Sequence, residues 1–410
     1  MRARFVTIGL LCMTLGLSVA AGQGAQDEAA PYLGEWAVTL HDTGSTFEAC
    51  WLEFERKDGK LDARMLWRWG SVTGVKSVKI VNGEMQWVRP EFWEEKGKSF
   101  DTTYHAKLED GKLVGWVKMP WGELHRFTGV ASVDKVDIAG TWICIADDDS
   151  EQIERAVALK QDGDEITGTY DDGMTKAEVK NAKLDGNNLA FEISGEDFFV
   201  RCKATVEGDR LRGTYVLGTE PGTFSGKRRR TLGEKIVLFD GKDFAGWHSR
   251  DPKRAEPKWA IRDGYMYPLS GGTDIVTDQK FQDFIVHVEY CFPKPHGNSG
   301  VYVRGRYEVQ ALDDYGKGLS EHGCGSIYSR VSPTKNITKP QGTWQSLDIT
   351  LVGHWITVRH NGETIVENAY LEGITGGALD ADDNAPGPIM LQAHGEAVQF
   401  RNVVITPLLK

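Results

Sequence analysis

The chain has 410 residues, 40% of them hydrophobic, which suits two or three domains with apolar cores and excludes a disordered polymer. Its 59 acidic residues against 48 basic ones give a net charge of −11, arguing against nucleic acid or an anionic membrane as partner and remaining compatible with neutral sugars. Arg2 and Arg4 precede an apolar run over 5–17 and then Ser18-Val19-Ala20-Ala21-Gly22, the pattern of a signal peptide over 1–21. That run is shorter than the ~20 residues of a bilayer-spanning helix. No later segment is long or apolar enough either, so membrane insertion is not expected. A flexible tether over 22–31 follows, and the expected location is secreted or periplasmic.

Folded structure is expected from residue 32. Gly34-Glu35-Trp36 and Gly140-Thr141-Trp142 open two segments of similar length whose turn signals match in order, which identifies an internal duplication over 32–131 and 137–228. Lys57-Asp58-Gly59-Lys60-Leu61 corresponds to Gln161-Asp162-Gly163-Asp164-Glu165-Ile166, and Asn82-Gly83-Glu84 to Asp185-Gly186-Asn187. Each unit ends on Phe-x-Gly, at Phe127 and Phe224. Asp-Gly and Asn-Gly supply the positive φ of tight hairpins, and residues between turns alternate as half-buried strands do. Both units resemble the small antiparallel lipocalin-like or avidin-like β domains found beside enzymes in secreted bacterial proteins. The resemblance implies a barrel or half-barrel for each.

Tryptophan is concentrated in the first unit, and Trp67, Trp69, Trp87 and Trp93 are candidates for stacking on sugar faces. Core filling or domain-interface packing is the commoner use of such rings and is the favoured reading. Once Cys12 leaves with the signal peptide, five cysteines remain, so at least one is unpaired. Cys144 and Cys202 fall in expected strands of the second unit and are able to bridge, and no cysteine spacing matches a zinc site. The basic run Lys227-Arg228-Arg229-Arg230 reads as a solvated linker without a partner.

The third unit, 236–410, reads as strands over 284–292, 300–304, 307–312, 345–352, 356–360 and 389–394, with Asn361-Gly362 as a hairpin and 380–384 as a solvated loop. Alternation places His287 with Glu289, Tyr302 with Arg304, Glu308 with Gln310, and Gln392 with His394 on polar strand faces. Polar pairs recurring across one sheet would line a concave surface fit for a sugar.

This unit also carries Leu238-Phe239-Asp240-Gly241-Lys242-Asp243 with Gly246-Trp247, Asn298-Ser299-Gly300-Val301-Tyr302-Val303-Arg304-Gly305 and Tyr307-Glu308-Val309-Gln310-Ala311-Leu312-Asp313. Gly387-Pro388-Ile389-Met390-Leu391-Gln392-Ala393-His394-Gly395 and Phe400-Arg401-Asn402-Val403 follow. Together these motifs resemble the 3-keto-disaccharide hydrolase family over residues 238 to about 408. The resemblance implies a concanavalin-A-like jelly-roll β-sandwich acting on glycosides whose C3 hydroxyl has been oxidised to a ketone. The expected fold class is therefore all-β, two small antiparallel β-barrel or half-barrel repeats followed by that sandwich.

A C3 ketone acidifies the C2 hydrogen, so a base at C2, a group facing the C3 enolate oxygen and an acid for the leaving oxygen are required. His394 or Glu308 is the candidate base, and Arg304 or a bound divalent ion the enolate partner. Glu289, Asn298, Tyr302, Gln310, Gln392 and His287 are candidates for binding the glycoside. No cofactor or metal is fixed by the sequence, and neither is oligomeric state. The rivals are a retaining glycosidase with two carboxylates and a non-catalytic carbohydrate-binding module. The laminarinase-type glycosidase places acidic residues at alternate strand positions, where this chain has Glu308, Gln310 and Leu312.

Overall fold

The computed structural model describes residues 27–410 except 43–44, 68, 94–96, 134–135, 255 and 395–397. The expected signal peptide and most of the tether therefore lie outside the described residues. Apart from a 3-10 turn at Ala30–Tyr32, every regular element among them is a β-strand.

The duplication is visible as two antiparallel meanders. In the second, eight strands from Gly140–Ala146 to Glu220–Arg229 close into a barrel, the first pairing with the last at Thr141↔Arg229 through Ala146↔Phe224. In the first, nine strands follow the same path from Gly34–Asp42 to Leu124–Ser132, and the two end strands pair in the same way. The extra strand arises because the single strand Lys176–Asp185 of the second unit is matched by two pieces, Thr73–Gly74 and Ser77–Val81, with a break between them. Each unit is pinned alike at its start. The Trp36 indole donates to the Tyr32 carbonyl at 2.8 Å and the Trp142 indole to the Ile138 carbonyl at 2.9 Å, four residues back in both cases.

Trp36, Trp67 and Trp87 pack in the first unit's core, which the large area an indole buries favours. Trp87 is buried and stacks on Tyr104 at 5.4 Å, and Trp67 meets Tyr104 and Phe127 edge-on. The Trp93 side chain lies outside the described residues.

The third unit is a sandwich. One sheet runs in the order Trp259–Arg262, Tyr265–Pro268, Gln399–Leu409, Phe284–Cys291, Gln345–Val352, Trp355–His360, Glu363–Tyr370. The other runs Trp247–Ser249, Ile275–Thr277, Met390–Leu391, Asn298–Val303, Tyr307–Leu312. Alternation decides what lies between them. Val286, Val288 and Tyr290 point inward from the first sheet and Val301, Val303, Val309 and Ala311 from the second, all fully buried in one core. Each fully buried Val, Ile or Leu of that core contributes roughly 1.5–3 kcal/mol. Asn361 and Gly362, at φ 47° and 85°, form the expected hairpin.

Three sequence expectations are corrected where the units meet. The basic run is not a solvated linker. Arg228 is buried over the Trp142 ring at 4.5 Å beside Asp209, and the Arg230 guanidinium lies 2.9 Å from both Asp209 and Asp283, fastening the barrel to the sandwich. Alternation along the last barrel strand turns Arg228 inward, and desolvation lowers its pKa to about 10. Nor is 380–384 a solvated loop: Asp383 is buried, and Asp380 pairs with Arg306 at 2.6 Å. No disulfide joins Cys144 to Cys202. Both are buried thiols inside the barrel, and burial raises each pKa to about 12.

The first unit docks on the sandwich through an apolar patch. Ala49, Trp51 and Leu66 pack against Ile374, Ala378 and Ala381, and the Arg330 guanidinium lies 4.0 Å from the Trp51 ring centre. At Gly373 a Cβ would fall 2.1 Å from the Trp51 indole nitrogen, so only glycine admits the ring there.

Candidate functional site

The hairpin of Asn298–Val303 and Tyr307–Leu312 builds the floor of a hollow of about 290 Å³ on the outer face of the smaller sheet. Its register pairs Gly300 with Gln310 and Tyr302 with Glu308, so these four and Asn298 share the face opposite Val301, Val303 and Val309. Gly300 is required by what stands over it. A Cβ at that position would lie 2.4 Å from Glu308 Oε1, so the missing side chain is the space the carboxyl occupies.

Glu308 is 4% exposed, and burial raises its pKa to about 8, with the nearby Asp274 carboxylate acting in the same direction against a hydrogen bond from Tyr302. At neutral pH the group is a neutral acid. The hydrogen bonds agree. Tyr302 has one hydroxyl proton and two acceptors, Glu308 Oε2 at 2.8 Å and the Gly376 carbonyl at 2.7 Å. A protonated Glu308 satisfies both contacts by donating to Tyr302 while Tyr302 donates to Gly376.

The neighbouring strand Met390–Leu391 leads into Gln392 and His394 on the same hollow. Gln392 Nε2 donates to the Tyr302 hydroxyl at 3.3 Å, Gln310 Nε2 to Asn298 Oδ1 at 2.9 Å, and His394 Nδ1 lies 3.5 Å from Asn298 Nδ2 at the exposed rim. The amide oxygens of Gln310 and Gln392 are buried without a hydrogen-bond partner. Two unsatisfied acceptors beside a polar hollow each cost about 1–3 kcal/mol unless a ligand donates to them.

Asn298, Tyr302, Glu308, Gln310, Gln392 and His394 are thus brought together, as alternation implies. Arg304, His287 and Glu289 are not. Arg304 does not continue the Tyr302 face, because the strand ends at Val303. Arg304 and Gly305 take φ 52° and 67°, the paired positive values of a type I′ turn, which swings the side chain aside. Fully buried, it donates to the Gln282 carbonyl at 2.8 Å, meets Asp283 at 3.2 Å and holds the Asp383 carbonyl. Its work is to anchor the 380–385 loop with Arg306, whose guanidinium donates to the Ala385 carbonyl at 2.8 Å.

His287 and Glu289 do share a face, but that face is the outside of the larger sheet, across the sandwich from Glu308. Asp348 at 2.7 Å from His287 raises the imidazole pKa. Burial works against ionisation of Glu289, yet Asn402 at 2.7 Å and Arg401 at 2.6 Å outweigh it and hold the carboxyl below its usual value.

Three polar lining residues escape the sequence reading, Arg250, Asp274 and Tyr328, while Trp69, one of the four stacking candidates, also lines the hollow. Arg250 and Asp274 pair at 2.9 Å, and Asp274 also accepts from the Ala393 amide at 2.9 Å. They lie one position beyond the strands Trp247–Ser249 and Ile275–Thr277, each too short to show alternation. Trp69 comes from the first unit, and nothing in the sequence of the sandwich points to it. Among the described residues, no group of three or more His, Cys, Asp or Glu side chains is arranged to hold a metal ion.

Residues 234–406 match the model of a family described as 3-keto-alpha-glucoside-1,2-lyase-like domain. A 3-keto-disaccharide hydrolase of Bacteroides thetaiotaomicron is 24% identical, over 42% of this chain and 78% of the relative. Two solved structures from Parabacteroides distasonis, both described as glycosyl hydrolases by assignment, are 32% and 25% identical. They cover 43% and 42% of this chain and 90% and 92% of their own, with TM-scores of 0.39 and 0.36.

Proposed function

Since the C-terminal sandwich belongs to the 3-keto-alpha-glucoside-1,2-lyase-like family, we propose that it cleaves 3-keto-glycosides by elimination across C1 and C2. Its substrate class is carbohydrate, and the finer reading rests on one observation above all, a buried carboxyl that keeps its proton at neutral pH on the floor of a polar hollow. The sequence left the base open between His394 and Glu308. Protonation of Glu308 makes it the acid, and His394 at the rim takes the base.

His394 removes the C2 proton, and the electron pair moves into C2=C3 to leave negative charge on the C3 oxygen. The Arg250 guanidinium takes the place that Arg304 cannot fill and faces this oxygen. Collapse of the enolate restores C3=O, forms C1=C2 and breaks the bond from C1 to the departing oxygen, which receives the Glu308 proton. Hydration then completes hydrolysis: Glu308 takes a proton from water, hydroxide adds at C1, and protonated His394 returns a proton to C2. Gln310 and Gln392, with their open amide oxygens, accept from sugar hydroxyls, and Asn298 and Tyr302 set the positions of those amides and of Glu308.

Asp274 beside Glu308 gives the glycosidase reading its own support, a raised acid with a second carboxylate in one hollow. Incubation with a 3-keto disaccharide and with its unoxidised parent separates the two. Elimination requires turnover of the keto sugar alone, and comparable turnover of the parent contradicts it. The protein is also proposed to act outside the cytoplasm, on the strength of the N-terminal pattern Arg2 to Gly22. Export of a fusion of that segment to a reporter tests this, and retention in the cytoplasm contradicts it.

A further inference from the structure

We infer that Trp69 of the first β unit forms an aglycone subsite of the sandwich, stacking on the apolar face of the sugar ring that leaves from C1; this rests on the proposed glycoside reading. Among the described residues, Trp69 is the exposed indole of its unit that lines the hollow, which Trp116 and Trp121 do not. Trp87 is buried and Trp67 half-buried in the core of the unit, whereas Trp69, two residues beyond Trp67, is 57% exposed and lines the hollow with Glu308. An indole left open to water forgoes much of the burial that usually places it.

Its position is held from both sides. Phe47 meets the ring at 5.7 Å and 51°, and the Arg250 guanidinium lies 5.0 Å from its centre. The segment that carries it is fastened to the sandwich by three contacts. Ser71 Oγ lies 2.9 Å from His322 Nε2, the Ser329 hydroxyl accepts from the Val72 amide at 2.9 Å, and Gly70 abuts Gly376 so closely that a Cβ on Gly376 would fall 2.1 Å from the Gly70 oxygen. A loop anchored this firmly presents a fixed surface, which is what a stacking platform requires.

Depth separates the two rings of a substrate. The unsatisfied amide oxygens of Gln310 and Gln392 are buried, so they take the oxidised ring. Trp69 stands at the open side, where the departing ring must lie. The occupant is a second sugar ring, whose C–H face suits an indole and whose hydroxyl edge stays in water.

The test compares a 3-keto disaccharide with the 3-keto methyl glucoside carrying the same oxidised ring. Trp69→Ala raises KM for the disaccharide about tenfold and leaves the methyl glucoside within about twofold, a difference of the size expected for one aromatic contact. Trp69→Phe recovers most of the loss, and Trp121→Ala, an exposed indole of the same unit away from the hollow, changes neither. Equal changes for both substrates, or none for either, overturn the inference. Calorimetric titration of the wild type and Trp69→Ala with the unoxidised disaccharide reads the subsite independently of the chemistry. Tighter binding to the wild type supports it even if no substrate turns over, whereas equal affinity or no binding to the wild type contradicts it.

Discussion

Glu308 carries a charge argument with a definite sign. Its pKa in the folded protein, about 8, stands above the ordinary 4.5, so the stability tied to its neutral form is complete below pH 4.5 and is lost as the pH rises through about 8. Glu308→Gln, which cannot ionise, gains stability relative to the wild type between pH 5 and pH 8.5, by a few kcal/mol at most. Thermal unfolding of both proteins across that range reads the difference, and parallel curves contradict a buried neutral acid. Activity has the matching sign. Wild-type kcat falls as the pH passes about 8, and Glu308→Gln lacks that limb and loses roughly a hundredfold. His394→Ala loses a similar factor, roughly a hundredfold, through the base, and unchanged kinetics would remove that residue from the mechanism. Period-two alternation exposes Glu308, Gln310, Tyr302 and Asn298 in the sequence because all four sit on long strands with one apolar face. The protonation state of Glu308 is not legible there, because it depends on burial in the folded sheet face and on Asp274, distant in the chain.

Among elements, the turn after Val303 shows where alternation stops being a guide. Arg304 follows Tyr302 by two, yet the reversed twist of a type I′ turn carries it away from the hollow and into contact with Asp283 and the Asp383 carbonyl. Arg304→Met removes one partner of a buried ion pair and is expected to cost about 3 kcal/mol. The effect falls on the urea midpoint, while kcat of the folded enzyme stays on the order of the wild type. A collapse of kcat at full stability would return Arg304 to the chemistry. Gly376 marks a second such element. Its Cβ has no room beside the Gly70 oxygen, so Gly376→Ala displaces either the Trp69 segment or the carbonyl that accepts from Tyr302, and raises KM for a 3-keto disaccharide. An unchanged KM would show that neither contact matters to binding. Hairpin signals such as Asp58-Gly59, Asn82-Gly83 and Asn361-Gly362 were legible because positive φ restricts residue choice. The placement of Arg250 and Asp274 is not legible, since the strands they flank have three residues each and carry no period.

Across the whole molecule, the two meanders are structural supports as well as neighbours. The second is riveted through Arg230 between Asp209 and Asp283, and the first through Trp51 on Gly373 and the Ile374, Ala378 and Ala381 patch. The basic run reads as a linker because a sequence shows charge but not the two aspartates that meet it. The proposed cleavage depends on a proton leaving C2, and a 3-keto disaccharide deuterated at that carbon tests it most directly. Proton abstraction by His394 slows the reaction of the deuterated sugar and loses deuterium to solvent during cleavage, both abolished in His394→Ala. Cleavage at an unchanged rate with the deuterium fully retained at C2 would contradict it.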